Sequence, residues 1–497
     1  METSDIANCK FKLSLINSIN SGGDSIAIVT PERAYSYYEF KIQIAKYIGL
    51  FKQNNISDKL GIINHHDFYT YSAIVACIIS GITYIPIEPT HPVERNKHII
   101  DQTDIKHIFC SSDTDLSENE LISKLVLKLE GQNNLEDELD ITFTNNPVYI
   151  LFTSGTTGIP KGVPIYPENL NSFVDIVFSL PWDISSKSKF LQVFDLTFDL
   201  SVFSFLIPFI AGASLYISDS GAIKNLVAIN SIMTNKITHV LTVPSFITLL
   251  MPYFNRISLP EVEHWFFCGE ALSASQIQKW QNCVPKAKIW NLYGPTEATI
   301  FCTSYYCQPN NTKQYNDIVC IGKPFENTKF YIHKTDDDNL GELYISGSQT
   351  VKSYLNNADK EQFTTIDDTF YYKSADLVFK DEQGDYFFVG RNDSQIKIQG
   401  YRIELGEIEH AALKHNSIKQ AAAVCLEQGD NKIIALAIVA DANLYNEDDF
   451  ISFLGENLPK YMIPKKIELL YKMPYNLNGK IDRKYLKKTL ADTANDK

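Results

Sequence analysis

Short apolar runs alternate with longer amphipathic stretches along most of this 497-residue chain. The apolar runs have the length of buried strands, and they lie at 59–65, 82–87, 106–111, 147–153, 189–194, 213–218, 238–244 and 262–269. Between them, 38–51, 222–235 and 273–282 have the spacing of helices. Because strands that alternate with helices build largely parallel sheets covered by helices, the pattern predicts an α/β fold.

From about residue 320 onwards the pattern changes to short strands separated by turns. A polar stretch at 390–395 then precedes a run that reads as strand, turn, strand and an acidic helix start. Further strands follow, so the end of the chain predicts a compact α+β domain. We place the boundary at Asp393, which gives an N-terminal domain of residues 1–392 and a C-terminal domain of residues 393–497.

The composition argues against several classes of function. Acidic side chains outnumber basic ones by 59 to 45, so the formal charge is −14, which argues against nucleic-acid binding and a polybasic membrane anchor. The most apolar run, 202–217, is shorter than the ~18 residues of a membrane span and contains Ser204 and Pro208, so we expect no membrane insertion. The nine cysteines form no CxxC pair, and the N-terminus lacks the order of a signal peptide. Both features predict a cytoplasmic protein with reduced thiols.

The segment 153–162 (TSGTTGIPKG) follows a predicted buried strand. Its three glycines let backbone amides approach an anion, its hydroxyl side chains add donors, and Lys161 adds a positive charge. It differs from the common P-loop, because Pro160, Pro164 and Pro167 disfavour an immediate long helix. The segment therefore predicts a polyphosphate site, and a glycine-rich hairpin turn without a ligand is the alternative.

The same segment resembles the phosphate-loop signature of the adenylate-forming superfamily, which contains acyl-CoA synthetases, luciferases and nonribosomal-peptide adenylation domains. Further motifs of that superfamily follow in the family's order, at 291–297 (NLYGPTE), 341–347 (GELYISG), 390–404 (GRNDSQIKIQGYRIE), 458–464 (LPKYMIP) and 478–483 (NGKIDR). The resemblance extends from about residue 20 to about residue 485, nearly the whole chain. An ordered series of motifs is far more specific than any one of them.

The resemblance implies a two-step ligase reaction. A carboxylate would attack the α-phosphorus of Mg²⁺-bound ATP to give an acyl-adenylate and pyrophosphate, and a thiol would then displace AMP. It also implies layered mixed and parallel sheets with helices and a β-barrel-like subdomain in the N-terminal domain, and a small C-terminal domain that is mobile. Asp393 would be the hinge of that motion. The turn at Gly400 would admit the thiol arm, and a simple tight turn is the alternative for Gly400.

The resemblance also assigns residues to the nucleotide. Tyr293 would stack on adenine, Asp376 would accept the two ribose hydroxyls, and Glu297 would hold Mg²⁺. The catalytic residues would be Thr153, Lys161, Glu297 and Lys480. The whole set that would bind ATP or AMP is Thr153, Ser154, Gly155, Thr156, Thr157, Gly158, Lys161, Asn291, Tyr293, Gly294, Pro295, Thr296, Glu297, Asp376, Arg391 and Lys480. This chain has Ser374 and Ala375 where the family usually has Thr-Gly, and alanine restricts the backbone if the turn needs a positive φ.

Asp199 indicates which acyl group is activated. In the segment 198–203 (FDLSVF) it falls where amino-acid-activating members place an aspartate against the α-ammonium group, and a buried ammonium needs such a partner. The other pocket positions implied by the resemblance are Leu200, Phe203, Thr242, Phe266, Cys268, Leu292, Ile300 and Phe301. These positions contain no acid or base and leave little volume, so a small apolar amino acid fits best. A helix-capping role for Asp195 or Asp199 is the alternative.

The combination of FDLS with FFCGE resembles stand-alone D-alanine–D-alanyl carrier protein ligases, which have a cysteine at the Cys268 position. Leu292, Phe301 and Phe203 depart from those ligases, so an L-amino acid such as proline is a competing substrate. No carrier module follows the 478–483 motif, which implies that a separate phosphopantetheinylated carrier protein supplies the thiol. An acyl-CoA synthetase and a non-catalytic adenylate-binding protein are the alternatives from other classes.

Overall fold

The structure is a computed structural model, and it describes residues 10–111, 120–127, 139, 141–155, 159–218, 224–334, 340–393, 395–428, 431–441, 443–475 and 481–492. Its contacts divide the chain into two units. The first unit contains Met1–Glu88, Ile100–Leu151 and Gly162–Asn392, and the second contains Pro89–Ile99, Phe152–Lys161 and Asp393–Lys497.

The largest sheet of the first unit is mixed. Its strands in the described residues are β1 (Ile26–Val29), β2 (Ala34–Ser36), β8 (Lys189–Gln192), β9 (Ser214–Ile217), β10 (His239–Thr242), β11 (His264–Phe267), β12 (Lys288–Tyr293), β13 (Thr303–Cys307) and β16 (Lys323–Pro324). Their spatial order is β16-β13-β12-β11-β10-β8-β9-β1-β2. The strands from β12 through β10, β8 and β9 to β1 run parallel, and the strands at both edges are antiparallel to their neighbours.

A second sheet runs in the order β5-β3-β4-β6-β7. Its strands are β3 (Lys59–Ile63), β4 (Thr83–Ile87), β5 (Ile108–Phe109), β6 (Tyr149–Thr153) and β7 (Lys161–Ile165). The pairs β3–β4, β3–β5 and β4–β6 are parallel. All eight apolar runs named above contain a strand, so the prediction of layered mixed and parallel sheets is confirmed.

Helices lie between most of these strands, and local sequence signals fix where several of them begin and end. They are α1 (Lys10–Ser21), α2 (Tyr37–Gln53), α3 (Phe68–Ser80), α4 (Val93–Thr103), α5 (Glu120–Leu125), α6 (Pro167–Ser179), α7 (Asp199–Ala211), α8 (Lys224–Asn235), α9 (Pro244–Thr248) and α10 (Ala274–Trp280). Helix α2 begins with a capping box in which the Ser36 hydroxyl accepts from Glu39 N, while the Glu39 carboxylate accepts from Ser36 N. Helix α7 ends at Gly212, which has a left-handed φ of 68°.

An antiparallel sheet lies in the stretch after about residue 320, where the sequence predicts short strands separated by turns. Strands β17 (Thr328–Lys334), β18 (Gly341–Gly347), β20 (Thr369–Lys380) and β19 (Phe363–Ile366) follow one another in space, and β21 (Tyr386–Arg391) also pairs with β20. The short strands β14 (Gln314–Tyr315) and β15 (Ile318–Val319) pair separately.

The second unit contains a β-hairpin, a three-stranded sheet within its described residues, and helices. The hairpin is β22 (Gln395–Ile398) with β23 (Tyr401–Glu404), and the sheet is β24 (Ile418–Gln428), β25 (Asn431–Ala440) and β26 (Lys466–Leu469). The helices α11 (Leu405–Leu413), α12 (Glu447–Asn457) and α13 (Arg483–Asp492) also belong to this unit. The predicted order of strand, turn, strand and helix after Asp393 is therefore observed.

The two units have separate hydrophobic cores. The large core of the first unit includes the apolar side chains of α7, and the core of the second unit includes Ile403, Ile408 and Leu436. The apolar run 202–217 forms most of α7 and the strand β9, and both are buried in this core. In the described part of the chain, we find no helix that is long and apolar enough to cross a membrane.

Candidate active site

The predicted phosphate loop connects β6 to β7. Lys161 is the first residue of β7 and is only 7% exposed. A Cβ at Gly155 would collide with the carbonyl oxygen of Ile159, so the loop needs glycine there. The hydroxyl oxygen of Thr153 is buried and has no hydrogen-bond partner among the described residues, and a buried unpaired hydroxyl is costly without a ligand. The predicted loop residues Thr156, Thr157 and Gly158 lie outside the described residues.

Ser154, which the sequence assigns to the nucleotide, belongs to the second unit and contacts the hairpin within that unit. Its hydroxyl donates to the carbonyl oxygen of Arg402 at 2.7 Å. The turn of that hairpin contains Gln399 and Gly400, with φ of 52° and 82°. Two successive positive φ values are typical of a two-residue type I′ turn, in which glycine is strongly favoured. Asp393, the predicted hinge, accepts a hydrogen bond from Gln395 N at 3.1 Å. The predicted catalytic Lys480 lies outside the described residues.

The 291–297 motif begins on β12 and ends in a single turn of 3₁₀-helix, Thr296–Ala298. The Asn291 side chain is buried and donates to the carbonyl oxygens of Val319 and Cys320, so it holds the neighbouring loop. A Cβ at Gly294 would collide with the Cα atom of Phe301, because the chain turns back on itself there. The motif therefore places Tyr293 and Glu297 on either side of a tight, glycine-dependent bend.

Asp376 lies at the centre of a buried polar cluster. Its carboxylate accepts a hydrogen bond of 2.5 Å from the Tyr293 hydroxyl and forms an ion pair of 2.5 Å with Arg391. The three predicted nucleotide residues Tyr293, Asp376 and Arg391 are thus in direct contact. Burial of the phenol, with the Asp376 charge beside it, raises the pKa of Tyr293 well above its usual value, so its hydroxyl remains a donor.

The backbone next to Asp376 contains a residue at positive φ and is held by hydrogen bonds. Residues 374–376 lie within β20, where its register against β18 shifts, and we call this bulge the Asp376 turn. Ala375 has a left-handed φ of 59°, so the turn does need the positive φ that glycine adopts most easily. The Ser374 hydroxyl donates to Leu343 O at 2.7 Å and accepts from Asp376 N at 3.1 Å. Serine therefore preserves the hydroxyl that the family pattern has at this position.

Glu297 is fully buried, and a side chain that the sequence analysis missed contacts it. The Tyr354 hydroxyl donates to Glu297 Oε1 at 2.6 Å, and Val351 N donates to Glu297 O at 2.9 Å. Both donors come from the loop that follows β18. No group of three or more metal-ligating side chains occurs in the described residues.

Three of the predicted positions of the amino-acid pocket lie at the carboxyl ends of parallel strands. Thr242 is the last residue of β10, Cys268 follows β11 directly, and Leu292 lies near the end of β12. Ligands of open α/β sheets bind at this edge. The predicted pocket positions Leu200, Phe203, Thr242, Phe266, Cys268, Leu292, Ile300 and Phe301 are all buried.

Asp199 is the first residue of α7 and is 9% exposed. The cap of this helix is Phe198, so Asp199 does not occupy the capping position. Asp195 instead forms a local turn, in which Oδ1 accepts from the amide and the hydroxyl of Thr197 at 2.9 and 2.7 Å. The structure therefore argues against the alternative that either aspartate merely caps this helix.

The three predicted pocket phenylalanines pack around a tryptophan that the sequence analysis missed. The ring of Phe203 lies 5.7 Å from that of Phe266 and 5.4 Å from that of Phe301. The buried Trp182 ring lies 4.7 Å from Phe266 and 6.0 Å from Phe301. Aromatic rings at these distances are in packing contact, so these predicted pocket positions are tightly packed.

Comparison with known proteins decides the family. Residues 17–355 match the family described as AMP-binding enzyme, which is more than half of the chain. The chain belongs to the AMP-binding enzyme family. The resemblance derived from the motifs is thereby confirmed, and the protein is an AMP-forming ligase.

Two relatives of this AMP-binding enzyme match it over nearly their whole length. The D-alanine–D-alanyl carrier protein ligase of Staphylococcus haemolyticus is 31% identical over 489 residues, which are 95% of this chain and 98% of that protein. The zwittermicin A synthase ZmaJ of Bacillus cereus is 30% identical over 490 residues, 93% of this chain and 92% of that protein. The crystal structure of the Vibrio cholerae adenylation domain AlmE, in complex with glycyl-adenosine-5'-phosphate, is 25% identical with a TM-score of 0.83, covering 97% of this chain and 98% of that one.

Proposed function

We propose that this AMP-binding enzyme activates a small apolar amino acid with ATP and transfers it to the phosphopantetheine thiol of a separate carrier protein. In the first step a carboxylate oxygen of the amino acid bonds to the α-phosphorus, and the bond to pyrophosphate breaks. In the second step the thiol sulfur bonds to the acyl carbon, AMP leaves, and the thiol proton is released. The relatives named as D-alanine–D-alanyl carrier protein ligases support both steps.

The observation that carries the proposal is Asp199 at the start of α7. A carboxylate that is 9% exposed on a helix beside a cluster of phenylalanines is the natural partner of an ammonium group. An ammonium group buried without such a partner would be strongly disfavoured. A fatty or aryl acid has no ammonium group and would not need Asp199.

The Asp376 cluster fits the ribose of the nucleotide. A carboxylate has about four lone-pair positions, and Tyr293 and Arg391 use one on each oxygen. The remaining positions on the two oxygens suit two neighbouring hydroxyls. A ribose diol presents two such donors.

Glu297 fits a magnesium ion that arrives with ATP. Mg²⁺ in nucleotide sites is commonly held by one or two carboxylates together with phosphate oxygens, so one buried carboxylate is sufficient. Tyr354 orients Oε1 of this carboxylate with a neutral donor. The ion would neutralise charge on the phosphates, and Glu297 would hold it in place.

We also propose a cytoplasmic location, because the reaction needs ATP and a reduced thiol. The described cysteines form no disulfide. Among the substrates, D-alanine has support from the names of relatives. An L-amino acid is the second candidate, because Phe203, Leu292 and Phe301 depart from the ligase pattern.

The test is ATP–pyrophosphate exchange that depends on the amino acid, with D-alanine, L-alanine, glycine, L-proline, L-valine and L-serine. Exchange with D-alanine alone would support a D-alanine ligase, and exchange with L-proline or another L-amino acid would support the second candidate. Binding of ATP without exchange for any amino acid would contradict the proposal. Transfer to holo-carrier protein is then compared with transfer to coenzyme A, since a preference for coenzyme A would indicate an acyl-CoA synthetase.

Two aspartates four residues apart provide a matched pair of variants. Asp199→Asn should lower kcat/KM for the amino acid by about a hundredfold, because hydrogen bonds between charged groups contribute roughly 1.5–3 kcal/mol. Asp195→Asn retains an oxygen that can accept from Thr197, so its exchange rate should remain within about twofold of the wild type. Equal activity of the two variants would contradict the role assigned to Asp199.

A further inference from the structure

The loop that carries Ile300 and Phe301 is held by one buried glutamine. We call residues 298–301 the pocket wall. The Gln349 side-chain nitrogen donates to the carbonyl oxygens of Phe301 at 3.0 Å, Ala298 at 3.3 Å and Thr299 at 3.5 Å. In return, the Thr299 hydroxyl donates to Gln349 O at 2.5 Å. Gln349 is completely buried, so these contacts are made without competition from water.

The pocket wall needs such support because its backbone is strained. Thr299 has φ of 57° and ψ of 79°, and Ile300 has φ of 74°. A positive φ is a genuine outlier for a β-branched residue and costs roughly 1–2 kcal/mol. In this conformation the three carbonyl oxygens point to one side of the loop, where a single carboxamide nitrogen reaches all of them.

The orientation of the carboxamide itself has a cost. Gln349 Oε1 is buried and has no hydrogen-bond partner among the described residues. Because only the amide nitrogen can donate, turning it toward the carbonyls leaves the oxygen unsatisfied. An unsatisfied buried acceptor costs about 1–3 kcal/mol, so the contacts to the pocket wall must more than offset that cost.

We propose that Gln349 is a positioning residue that sets the size of the amino-acid pocket by fixing the pocket wall. This inference rests on the proposed function. The hydrogen bonds that Tyr354 and Val351 donate to Glu297 do not involve the Gln349 side chain. Loss of Gln349 should therefore change which amino acid is accepted, while the dependence on ATP stays the same.

The test compares Gln349→Met with Gln281→Met in the full-length enzyme. Gln281 makes the same kind of contact elsewhere in the first unit, where its side-chain nitrogen donates to Val284 O at 2.9 Å and Ala287 O at 3.1 Å. ATP–pyrophosphate exchange gives kcat/KM for each amino acid and KM for ATP. In Gln349→Met, we expect the preference for the best amino acid over one that is larger by one or two carbons to fall about tenfold, with KM for ATP within about twofold. Gln281→Met should keep the wild-type preference.

A second variant covers the case in which Gln349→Met does not fold. Thr299→Val keeps the β-branched shape but removes the hydroxyl that donates to Gln349 O, and it should shift the preference in the same direction by a smaller factor. An unchanged preference in whichever variants fold would overturn the inference. A wild-type enzyme that shows no exchange with any amino acid would instead overturn the proposed function, so the two failures are distinguishable.

Discussion

The Asp376 turn and the pocket wall both place non-glycine residues at positive φ, and they are supported in different ways. The Asp376 turn is held by groups that are close to it in the antiparallel sheet: Glu342 Oε1 accepts from Ala375 N at 3.2 Å, and Ala375 O accepts from Asn392 N at 2.8 Å. The pocket wall is held by the side chain of Gln349, which lies outside any helix or strand. Sheet pairing supports the proposed nucleotide side of the site, whereas the contacts of one buried residue support the proposed amino-acid side.

This difference suggests how one fold can retain its nucleotide chemistry while its substrate changes. The residues around Asp376 are paired along β20 and β21, where Asp376 lies opposite Arg391. A change there would disturb the sheet. Gln349 lies outside every strand pair of the described residues, so we expect changes there to disturb the sheet less than changes at Asp376.

The first prediction concerns the loss of stability in acid, and it has the largest expected effect. Behind the pocket, the His239 ring stacks on that of His264 at 5.1 Å, and its Nε2 donates to Trp182 O at 2.8 Å. Trp182 in turn packs against Phe266. Burial lowers the pKa of His239 from 6.5 to about 4, with the neighbouring His264 adding to the effect.

A lowered pKa means that the folded protein binds the proton less tightly than the unfolded chain. The contribution of His239 is therefore fully present above pH 6.5 and is lost as the pH falls toward about 4. From a shift of this size, about 3 kcal/mol of unfolding free energy should be lost over that window. Denaturant unfolding at pH 7 and pH 4.5 should show a smaller loss in His239→Gln, which cannot take up a proton, than in the wild type.

The control for the acid prediction is His333→Gln, which removes an exposed imidazole from β17 of the same unit. Its loss of stability between the two pH values should match that of the wild type. If the loss of stability in His239→Gln also matches that of the wild type, then protonation of the buried His239 imidazole does not explain the loss of stability in acid.

The second prediction concerns two tyrosines, each of which donates a hydrogen bond to a buried carboxylate. Removing one donor from a buried acceptor costs about 1–3 kcal/mol, or roughly tenfold in a binding constant. Tyr354→Phe should raise the Mg²⁺ concentration for half-maximal exchange about tenfold, because Glu297 loses the donor that orients it. Tyr293→Phe should instead raise KM for ATP, because Asp376 loses its donor.

Exchange assays at varied Mg²⁺ and varied ATP separate these two effects, and each variant is the control for the other. If both variants change the same constant by the same factor, then the two carboxylates do not have separate roles. The assignment of Glu297 to the metal and of Asp376 to the ribose would then be wrong.

The sequence predicted the parts of this site that depend on short-range patterns. Apolar runs located the parallel strands, and the ends of those strands placed Thr242, Cys268 and Leu292 at one edge of the sheet. The motifs also predicted that Tyr293, Asp376 and Arg391 belong to one nucleotide site, and the structure places these three residues in contact. The roles of all the site residues remain predictions, and Thr156, Thr157, Gly158 and Lys480 lie outside the described residues.

The residues that the sequence did not reveal are those that tertiary packing brings to the site. Trp182, Gln349 and Tyr354 belong to no motif that was recognised as functional, and each contacts the site across a long stretch of chain. No local sequence pattern reveals the role of Gln349, because the strained backbone that it contacts lies about 50 residues earlier in the chain. Tyr354 could have been identified from the sequence, because it is an aromatic residue with a hydroxyl shortly after the 341–347 motif.

The last prediction has the smallest expected effect and concerns the strain in the Asp376 turn alone. Ala375 has φ of 59°, whereas Ala358, in the same unit, has φ of −59°. Glycine relieves the cost of a positive φ but makes the unfolded chain more flexible, and the two effects oppose each other. Ala375→Gly should therefore stabilise the protein by about 0.5–1 kcal/mol, while Ala358→Gly should destabilise it by a similar amount. Thermal unfolding of both variants measures the difference directly.

If Ala375→Gly destabilises the protein as much as Ala358→Gly does, then the contacts from Glu342 and Asn392, rather than the backbone at Ala375, determine the energy of this turn.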